Sequence, residues 1–427
     1  MTPQRLALPR GLFVVLLLLH VLPFAVRPAL IGGDEPHYAL MAHSLAVDGD
    51  FDLRDDYDEV AAGARWAGKK RAGQELDRHL LEVEDRVVFS HPVGLPLLAA
   101  PLLWGQQLLS PGAAPDILLG MLTLTLTWVA LVVAYRTLWR WTDDARLAAI
   151  AVFGGYFSSP LWFYSRTFFT EPYTWAFAAL AVAATVARSY WLAAVLLAVT
   201  LAMKETGLLL VVAVIGVTVW RRGPRAAARL ALGPLAFAVF FGLKNLLLVG
   251  EPFATFQPYR LGSLAAGVQG LLVDAERGAL WFAPLLVVGA LVAVVASRRG
   301  RSPESLWAGG AFLAYFLVSA WWVDWRGGSG FGPRLIVPGL AALTVPLTGF
   351  SEQALKRGGF FAVALKLLFI AGFAVQFCAA VEPVPAFWSI SVTDLLSEQP
   401  WRPLLGGLVG WGLVQALWHQ VDSRPPA

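Results

Sequence analysis

Twelve long apolar runs constrain the fold of this 427-residue chain more than any other feature. Most are close to the roughly 20 apolar residues that a helix needs to cross a bilayer. With 57% hydrophobic and 15% charged residues, the composition favours an all-α polytopic membrane protein over a soluble core. The expected spans are 11–31, 117–138, 147–165, 171–187, 190–203, 207–220, 230–249, 279–297, 305–323, 335–350, 360–381 and 402–418.

A thirteenth run, Val87 to Leu109, contains three prolines, and the distribution of charge decides whether it crosses. If it stays at the outer surface, every basic cluster faces the cytoplasm, as the positive-inside rule requires. If it crosses, the first two clusters face outward. We therefore expect residues 32–116 to be extracytoplasmic and both termini to be cytoplasmic. The clusters are Arg136/Arg140/Arg146, Arg221/Arg222/Arg225/Arg229, Arg298/Arg299/Arg301 and Lys356/Arg357.

The segment from Gly32 to His91 differs in charge from the remainder. It holds 14 of the 29 acids against 7 Lys and Arg, a net charge of −7, whereas the rest of the chain carries +11. This asymmetry indicates a solvated loop with its own role. Its apolar stripe predicts a helix on the membrane surface, residues 51–86 are expected to be irregular, and the whole chain 1–427 is expected to form one membrane domain. The stripe is Tyr38, Met41, Ala42 and Leu45.

An acidic pair follows the first run at once, in Gly33-Asp34-Glu35-Pro36-His37. An acid costs about 2.5–3.5 kcal/mol at the centre of a membrane helix and far less at its boundary. The pair is therefore tolerated there and available for function. Pro36 also suits the first position of a new helix, which Asp34 or Glu35 would cap. Both interpretations remain open.

Further short motifs follow in order, and the charge-derived topology places them on the same membrane face. With the acidic pair they resemble the GT-C glycosyltransferases, most closely glycosyltransferase family 39, the protein O-mannosyltransferase and lipid A aminoarabinose transferase group. Val93 departs from the second proline that the family often has, and longer relatives carry an additional soluble domain. The motifs are Ser90-His91-Pro92, Thr170-Glu171-Pro172, Met203-Lys204-Glu205-Thr206-Gly207, Glu276-Arg277-Gly278 and Gly330-Phe331-Gly332-Pro333-Arg334.

The resemblance implies a bundle of about 12 transmembrane helices that moves a sugar from a polyprenyl-phosphate-linked donor to a hydroxyl acceptor, usually with inversion. Such a displacement needs a carboxylate to accept the hydroxyl proton and cations to stabilise the leaving phosphate. Asp34 is the expected base, Glu35 a second catalytic-site residue that orients the acceptor or helps to hold a metal, and Glu171 a supporting acid and the reserve candidate for the base. The expected phosphate-binding residues are Lys204, Arg334, Arg260 and Arg277.

A divalent metal ion is a candidate cofactor. His37, His43, His79 and His91 suggest a metal site with Asp34 or Glu35 as an oxygen ligand, although no His-Glu-x-x-His motif is present. We expect His37 and His91 to contact the acceptor or a metal. The single Cys378 excludes an intrachain disulfide.

Other functions remain open at this stage. A transporter or flippase for a polyprenyl-linked sugar would use similar cations but predicts inverted repeats and charges near the bilayer midplane. In a non-catalytic envelope scaffold the acids would only cap helices. The alternative to phosphate binding is that Lys204 pairs with Glu205 or Glu171 and that Arg334 anchors its span at the interface. The acceptor, whether protein, lipid or glycan, is not specified, and no nucleic-acid partner is expected. Frequent Ala, Gly and Arg favour a bacterial cytoplasmic membrane.

Overall fold

The computed structural model describes most of the chain as a bundle of helices with one two-stranded sheet. The helices and strands up to residue 165 belong to the first loop and the first spans. They are α1 (Arg10–Val26), α2 (Glu35–Val47), α3 (Arg54–Ala61), β1 (Leu80–Val83), β2 (Arg86–Phe89), α4 (Gly94–Leu109), α5 (Asp116–Thr142), α6 (Ala145–Ala149), α7 (Gly155–Phe157) and α8 (Pro160–Tyr164). The described residues are 8–26, 33–76, 80–83, 86–89, 91–252, 254, 259–296, 298–328, 330–381, 391–397 and 399–419.

The later part of the chain contains helices and helical turns, together with one isolated β-bridge between Leu261 and Trp322 in its described part. A π-helical turn, Ile150–Gly154, joins α6 to α7, and 3₁₀ turns lie at Glu205–Gly207, Arg299–Arg301 and Arg334–Ile336. The remaining helices are α9 (Thr170–Val186), α10 (Tyr190–Met203), α11 (Leu208–Arg222), α12 (Pro224–Val249), α13 (Leu264–Val273), α14 (Ala279–Phe282), α15 (Pro284–Ala296), α16 (Pro303–Trp321), α17 (Val337–Ala342), α18 (Thr344–Arg357), α19 (Gly359–Val381), α20 (Val392–Ser397) and α21 (Trp401–His419).

The expected all-α membrane fold is confirmed, since each of the twelve apolar runs contains a helical segment in the described part of the chain. Three of these helices, α5, α12 and α19, are by themselves long and apolar enough to cross a membrane. The segment that begins with Arg334–Ile336 and contains α17 and α18 passes the same test as a pair bent by 55°. The other runs form shorter or interrupted helices.

The main core lies between the spans and is rich in buried aromatic rings. Trp162 packs edge-on against Phe157 and is stacked on Phe373, which brings α8 against α19. Phe331 contacts both Phe163 and Phe282, with ring centroids 4.5 and 5.1 Å apart. These contacts bring α8, α14 and the segment before α17 together at one end of the bundle.

The first loop has a core of its own. Tyr38, Leu53, Val87, Phe89 and Leu95 are buried in it, so α2, β2 and α4 pack as one unit. A Cβ atom on Gly94 would lie 2.4 Å from the carbonyl oxygen of Ala202. The start of α4 therefore contacts the end of α10 through bare backbone.

Two expectations for this loop were wrong. The stretch 51–86 is not irregular throughout, because it contains α3 and most of an antiparallel hairpin that pairs Leu80 with Phe89. Burial of α2 is also not confined to one stripe, since every residue from Glu35 to Ser44 is buried. The cause is tertiary, because α4 and the loop core cover the sides of α2 that the sequence pattern suggested would meet water.

The run from Val87 to Leu109 forms β2 and α4, and α4 has only 16 residues, with Pro101 inside it. A helix of 16 residues is about 24 Å long, shorter than the roughly 30 Å hydrocarbon core. Helices of other expected spans, such as α10 with 14 residues and α11 with 15, are shorter still, so length does not decide whether α4 crosses. The non-crossing topology stays a prediction.

That topology can be tested by cysteine labelling from each side of the membrane. In a Cys378→Ala background we expect Ala62→Cys, exposed at the end of α3, to react with an impermeant thiol reagent added outside. Ala228→Cys, exposed between Arg225 and Arg229, should react only after the membrane is opened. Both replacements are small and at exposed positions, so labelling reports sidedness. Labelling of both from the same side would contradict the topology.

Candidate functional site

Four charged residues from separate parts of the sequence meet where several helices begin or end. Asp34 precedes α2, Glu171 lies in the first turn of α9, Lys204 follows α10, and Arg334 starts the 3₁₀ turn before α17. Arg334 Nη2 lies 3.0 Å from Asp34 Oδ2, and Lys204 Nζ lies 2.6 Å from Glu171 Oε1. Arg334 Nε is 3.7 Å from the same Glu171 oxygen. We call these four residues the ion-pair chain.

Asp34 is the acid of the ion-pair chain that is best placed to meet a substrate. It occupies the N-cap position of α2, yet its side chain makes no capping hydrogen bond. The carboxylate lies against Arg334 instead, and 22% of the side chain is exposed, compared with 1% for Glu171. Asp34 is therefore the more accessible of the two carboxylates.

Lys204 pairs with Glu171 and not with its sequence neighbour Glu205, which is exposed. The ammonium group has three N–H donors, and one of them is directed at Glu171 Oε1. The Lys204 side chain is 17% exposed, so its head group lies at the edge of the buried cluster. The ion-pair chain contains two carboxylates and two cations and is formally neutral.

Arg334 is held in position by the segment before it. Arg277 donates to the carbonyl oxygens of Arg326, Gly328 and Gly330, at 3.1, 3.1 and 2.6 Å. Tyr164 Oη donates to the Phe331 carbonyl and accepts from the Phe331 amide, each at 2.9 Å. The chain is therefore fixed just before Arg334.

Gly332 then turns the polypeptide backbone toward the ion-pair chain. Its φ of +58° lies in the left-handed region that favours glycine. The guanidinium of Arg334 lies over the Phe169 ring, 4.8 Å from its centroid, which adds a cation–π contact. The motif Gly330-Phe331-Gly332-Pro333-Arg334 thus positions a buried arginine.

Glu35 has a different environment from Asp34. Its side chain is fully buried and accepts a hydrogen bond from the backbone amide of Phe168. A buried carboxylate is costly unless it is hydrogen-bonded, and this bond joins the start of α2 to the segment that leads into α9. Glu35 therefore contributes to the geometry around Asp34.

The candidate histidines lie in the loop core. His37 Nδ1 is 2.5 Å from Tyr57 Oη, a contact between α2 and α3. His91 lies between the rings of Tyr38 and Phe89, with centroids 5.5 Å from each. Burial raises the pKa of the Tyr38 phenol, and the neighbouring Asp34 and Glu171 carboxylates raise it further, so Tyr38 borders the ion-pair chain. His79 and Ser90 lie outside the described residues.

The other predicted phosphate-binding arginines lie apart from the ion-pair chain. Arg277 is buried and directs its guanidinium at the carbonyls before Arg334. Arg260 is exposed, and its backbone carbonyl accepts from Val323. Arg166 is buried and donates to the Pro23, Ala379 and Ala380 carbonyls. No sequence signal distinguishes it from an exposed arginine at a span end.

Comparison with known proteins supports the fold but does not identify the reaction. No family model matches the chain, and no curated protein does. Two solved structures of ArnT from Cupriavidus metallidurans are similar, one bound to undecaprenyl phosphate and one in the apo state. Each is 14% identical with a TM-score of 0.55, and the matches cover 96% and 97% of this chain and 77% and 78% of ArnT.

A third similar structure is the archaeal oligosaccharyltransferase AglB from Archaeoglobus fulgidus, in complex with an inhibitory peptide and a dolichol-phosphate. It is 11% identical with a TM-score of 0.46, over 98% of this chain and 56% of AglB. The likeness to ArnT shows that this chain has the same fold as ArnT, as the sequence motifs predicted. The chain is a multi-pass membrane protein.

Arg277 gives a test of how Arg334 is positioned. Arg277→Met removes charged hydrogen bonds to three backbone carbonyls, one of them buried and two partly buried, and such bonds are worth about 1.5–3 kcal/mol each. We expect a clear fall in the melting temperature of the purified protein, measured by intrinsic fluorescence in detergent. Arg326→Met is the matched control, because that side chain is 53% exposed and its ion pairs are of the surface kind, worth about 0–1 kcal/mol. Equal melting temperatures for the two variants would contradict the anchoring role.

Proposed function

We propose that this protein is a glycosyltransferase that moves a sugar from a polyprenyl-phosphate-linked donor to a hydroxyl acceptor at the extracytoplasmic membrane face, with inversion. Asp34 is the base in this proposal. The observation that carries it is the ion-pair chain, in which a partly exposed carboxylate and two cations from distant sequence positions lie together. An in-line displacement at a sugar carbon needs these two kinds of group.

The chemistry assigns a role to each member. The Asp34 carboxylate accepts the proton of the acceptor hydroxyl as its oxygen attacks the sugar. Negative charge develops on the leaving phosphate as the glycosidic bond breaks. Lys204 and Arg334 stabilise that charge. Both cations are already in place near the base before the substrate binds, so the site is preorganised. Glu171 holds both cations in place.

The proposed donor follows from where the site lies. The ion-pair chain is at the ends of α9 and α10, where a lipid-linked phosphate can reach it while the prenyl tail stays in hydrocarbon. The ArnT structure of the same fold is described as bound to undecaprenyl phosphate, which supports a polyprenyl-phosphate donor. In this proposal residues 32–116 are the extracytoplasmic part of the single domain 1–427, and His37 and His91 border the acceptor side.

Lys204 and Arg334 are preferred over Arg260 and Arg277 for the phosphate. Arg277 directs its donors at backbone carbonyls, and Arg260 is exposed on another segment. Lys204 keeps N–H donors beyond the one directed at Glu171, and its head group is at the accessible edge. A phosphate that approaches this edge would share Lys204 with Glu171.

Asp34→Asn tests the proposed base. Asn keeps the size of the side chain and can still accept a hydrogen bond from Arg334, but it cannot take a proton. We expect turnover of a panel of synthetic polyprenyl-phosphate sugars, followed as release of polyprenyl phosphate, to fall by at least about 100-fold. The melting temperature should stay close to that of the wild type. Asp58→Asn, on the exposed side of α3, is the control and should keep full activity.

The same variant separates the other functions. A flippase with Asp34→Asn should keep much of its transport in vesicles, and a scaffold should show no donor turnover even as the wild type. Near wild-type transfer by Asp34→Asn would mean that Asp34 is not the base, and Glu171 would then be tested next.

Lys204→Gln and Arg334→Gln test the phosphate contacts. A cation that meets developing charge lowers the barrier more than it strengthens ground-state binding. We expect each variant to reduce kcat more than it raises KM for the donor. Lys204→Gln is the cleaner of the two, because Arg334→Gln also leaves Asp34 without its cation. Wild-type kcat in both folded variants would exclude these residues, and so would a change confined to KM.

A further inference from the structure

A second group of ionisable residues lies at the other end of α2, away from Asp34 along the helix. His43 is on the last turns of α2, Asp48 is its C-cap residue, and Asp56 is in the first turn of α3. One nitrogen or oxygen atom from each of the three lies within 4.8 Å of the others. Together with Asp55 and Glu59 they line a pocket of about 230 Å³. We call it the His43 pocket.

Asp56 has a buried carboxylate in this pocket that the protein satisfies only in part. The residue is 3% exposed, and its Oδ1 is 3.0 Å from His43 Nδ1. Its other oxygen, Oδ2, is buried and has no hydrogen-bond partner. A buried carboxylate oxygen of this kind is a site for a cation.

The side chains that line the pocket do not compensate the charge of the Asp56 carboxylate. Four carboxylates line it, and no Lys or Arg does so among the residues that the structure describes. The acids of the first turn of α3 complement its helix dipole, but this does not account for a buried oxygen that lacks a partner. The C-terminal end of α2 adds partial negative charge on the same side. An added cation would neutralise this concentration of charge.

His43 gives the pocket a nitrogen donor with a fixed orientation. Its ring is stacked on Trp66, with centroids 4.1 Å apart and planes inclined by only 12°. Trp66 Nε1 in turn donates to Glu59 Oε2 at 2.8 Å. The indole therefore holds both an imidazole and a carboxylate at the rim of the pocket. Fixed orientation of a histidine by its neighbours is typical of metal sites.

We propose that His43, Asp48 and Asp56 bind one divalent metal ion of the kind that accepts mixed nitrogen and oxygen ligands, such as Zn²⁺. Three protein ligands of this type, with water at the remaining position, are a common zinc arrangement. At bonds of about 2.1 Å, two ligands on a tetrahedral ion lie about 3.4 Å apart, so the observed spacing needs side-chain shifts of about 1 Å. This proposal is independent of the transferase assignment.

Bound metal would join α2 to α3 at a second point. His37, near the start of α2, already contacts Tyr57, the residue after Asp56. A metal on His43 and Asp56 would fix the far end of the same helix against α3. The ion would therefore act on the rigidity of the first loop and needs no contact with the sugar donor.

Zinc binding by the full-length protein in detergent tests the proposal. After treatment with a chelator, the protein is titrated with Zn²⁺ against a chromophoric competitor at pH 7.5. We expect one ion per chain, and at least about tenfold weaker binding in Asp56→Asn and in His43→Gln. Asp58→Asn is the matched control, because it removes an acid from the same helix outside the pocket, and it should bind as the wild type does.

A second readout avoids dependence on the variants alone. Zn²⁺ should raise the melting temperature of the wild-type protein and of Asp58→Asn, and should leave that of Asp56→Asn unchanged. The proposal is overturned by any of four results: no stoichiometric zinc, equal affinity in all variants, equal competition by Ca²⁺ or Mg²⁺, or displacement of zinc by an organic cation such as spermidine.

Discussion

The contact of Arg334 with two carboxylates is the interaction on which the rest of the site depends. Asp34 and Glu171 are separated by 137 positions in the sequence, and one guanidinium lies within ion-pair distance of both. Removing one partner of a buried ion pair typically costs about 3–5 kcal/mol, because the remaining charge is left uncompensated. The starts of α2 and α9 and the end of α10 are therefore coupled through the same few charges.

Such a cluster is useful for catalysis only if it keeps its shape before substrate arrives. The structure shows how the shape is kept, since Arg277 and Tyr164 fix the backbone just before Arg334. Glu35 fixes the entrance of α2 from the other side through the Phe168 amide. Preorganised charges need no reorganisation when a transition state forms, which is the main source of electrostatic stabilisation in enzymes. The residues that position the ion-pair chain are thus as informative about function as its members.

The sequence predicted the part of this arrangement that depends on hydrophobic length and on charge. Apolar runs gave the helices, and the basic clusters placed Asp34, Glu171, Lys204 and Arg334 at helix ends of the same side. The sequence could not predict which charged residues form ion pairs with each other, because the pairing depends on distances between helices. Lys204 stands next to Glu205 in the chain and yet pairs with Glu171, from a neighbouring helix. The β-hairpin was missed because its first strand lies in the polar stretch 51–86, whereas Val87 and Phe89 of its second strand were assigned to the apolar run Val87 to Leu109.

The same limit explains why the histidines were assigned to other partners at first. From the sequence, the histidines were paired with Asp34 or Glu35 as an oxygen ligand. In the folded loop those two acids are engaged at the start of α2, whereas His43 faces Asp56 at the other end of the helix.

The excess negative charge of the first loop is thus divided between two places with different compensation. Near Asp34 the protein supplies its own cations, and they come from α10 and from the segment before α17. In the His43 pocket four carboxylates gather without a lysine or arginine among the described lining residues. A protein that could place Arg334 beside Asp34 could equally have placed an arginine beside Asp56. In the proposed metal site an external cation would give the missing compensation, and the rigidity of α3 against α2 would depend on the ion. The charge at the start of α2 would then be compensated by cations of the protein, and the charge at its other end by a bound metal ion.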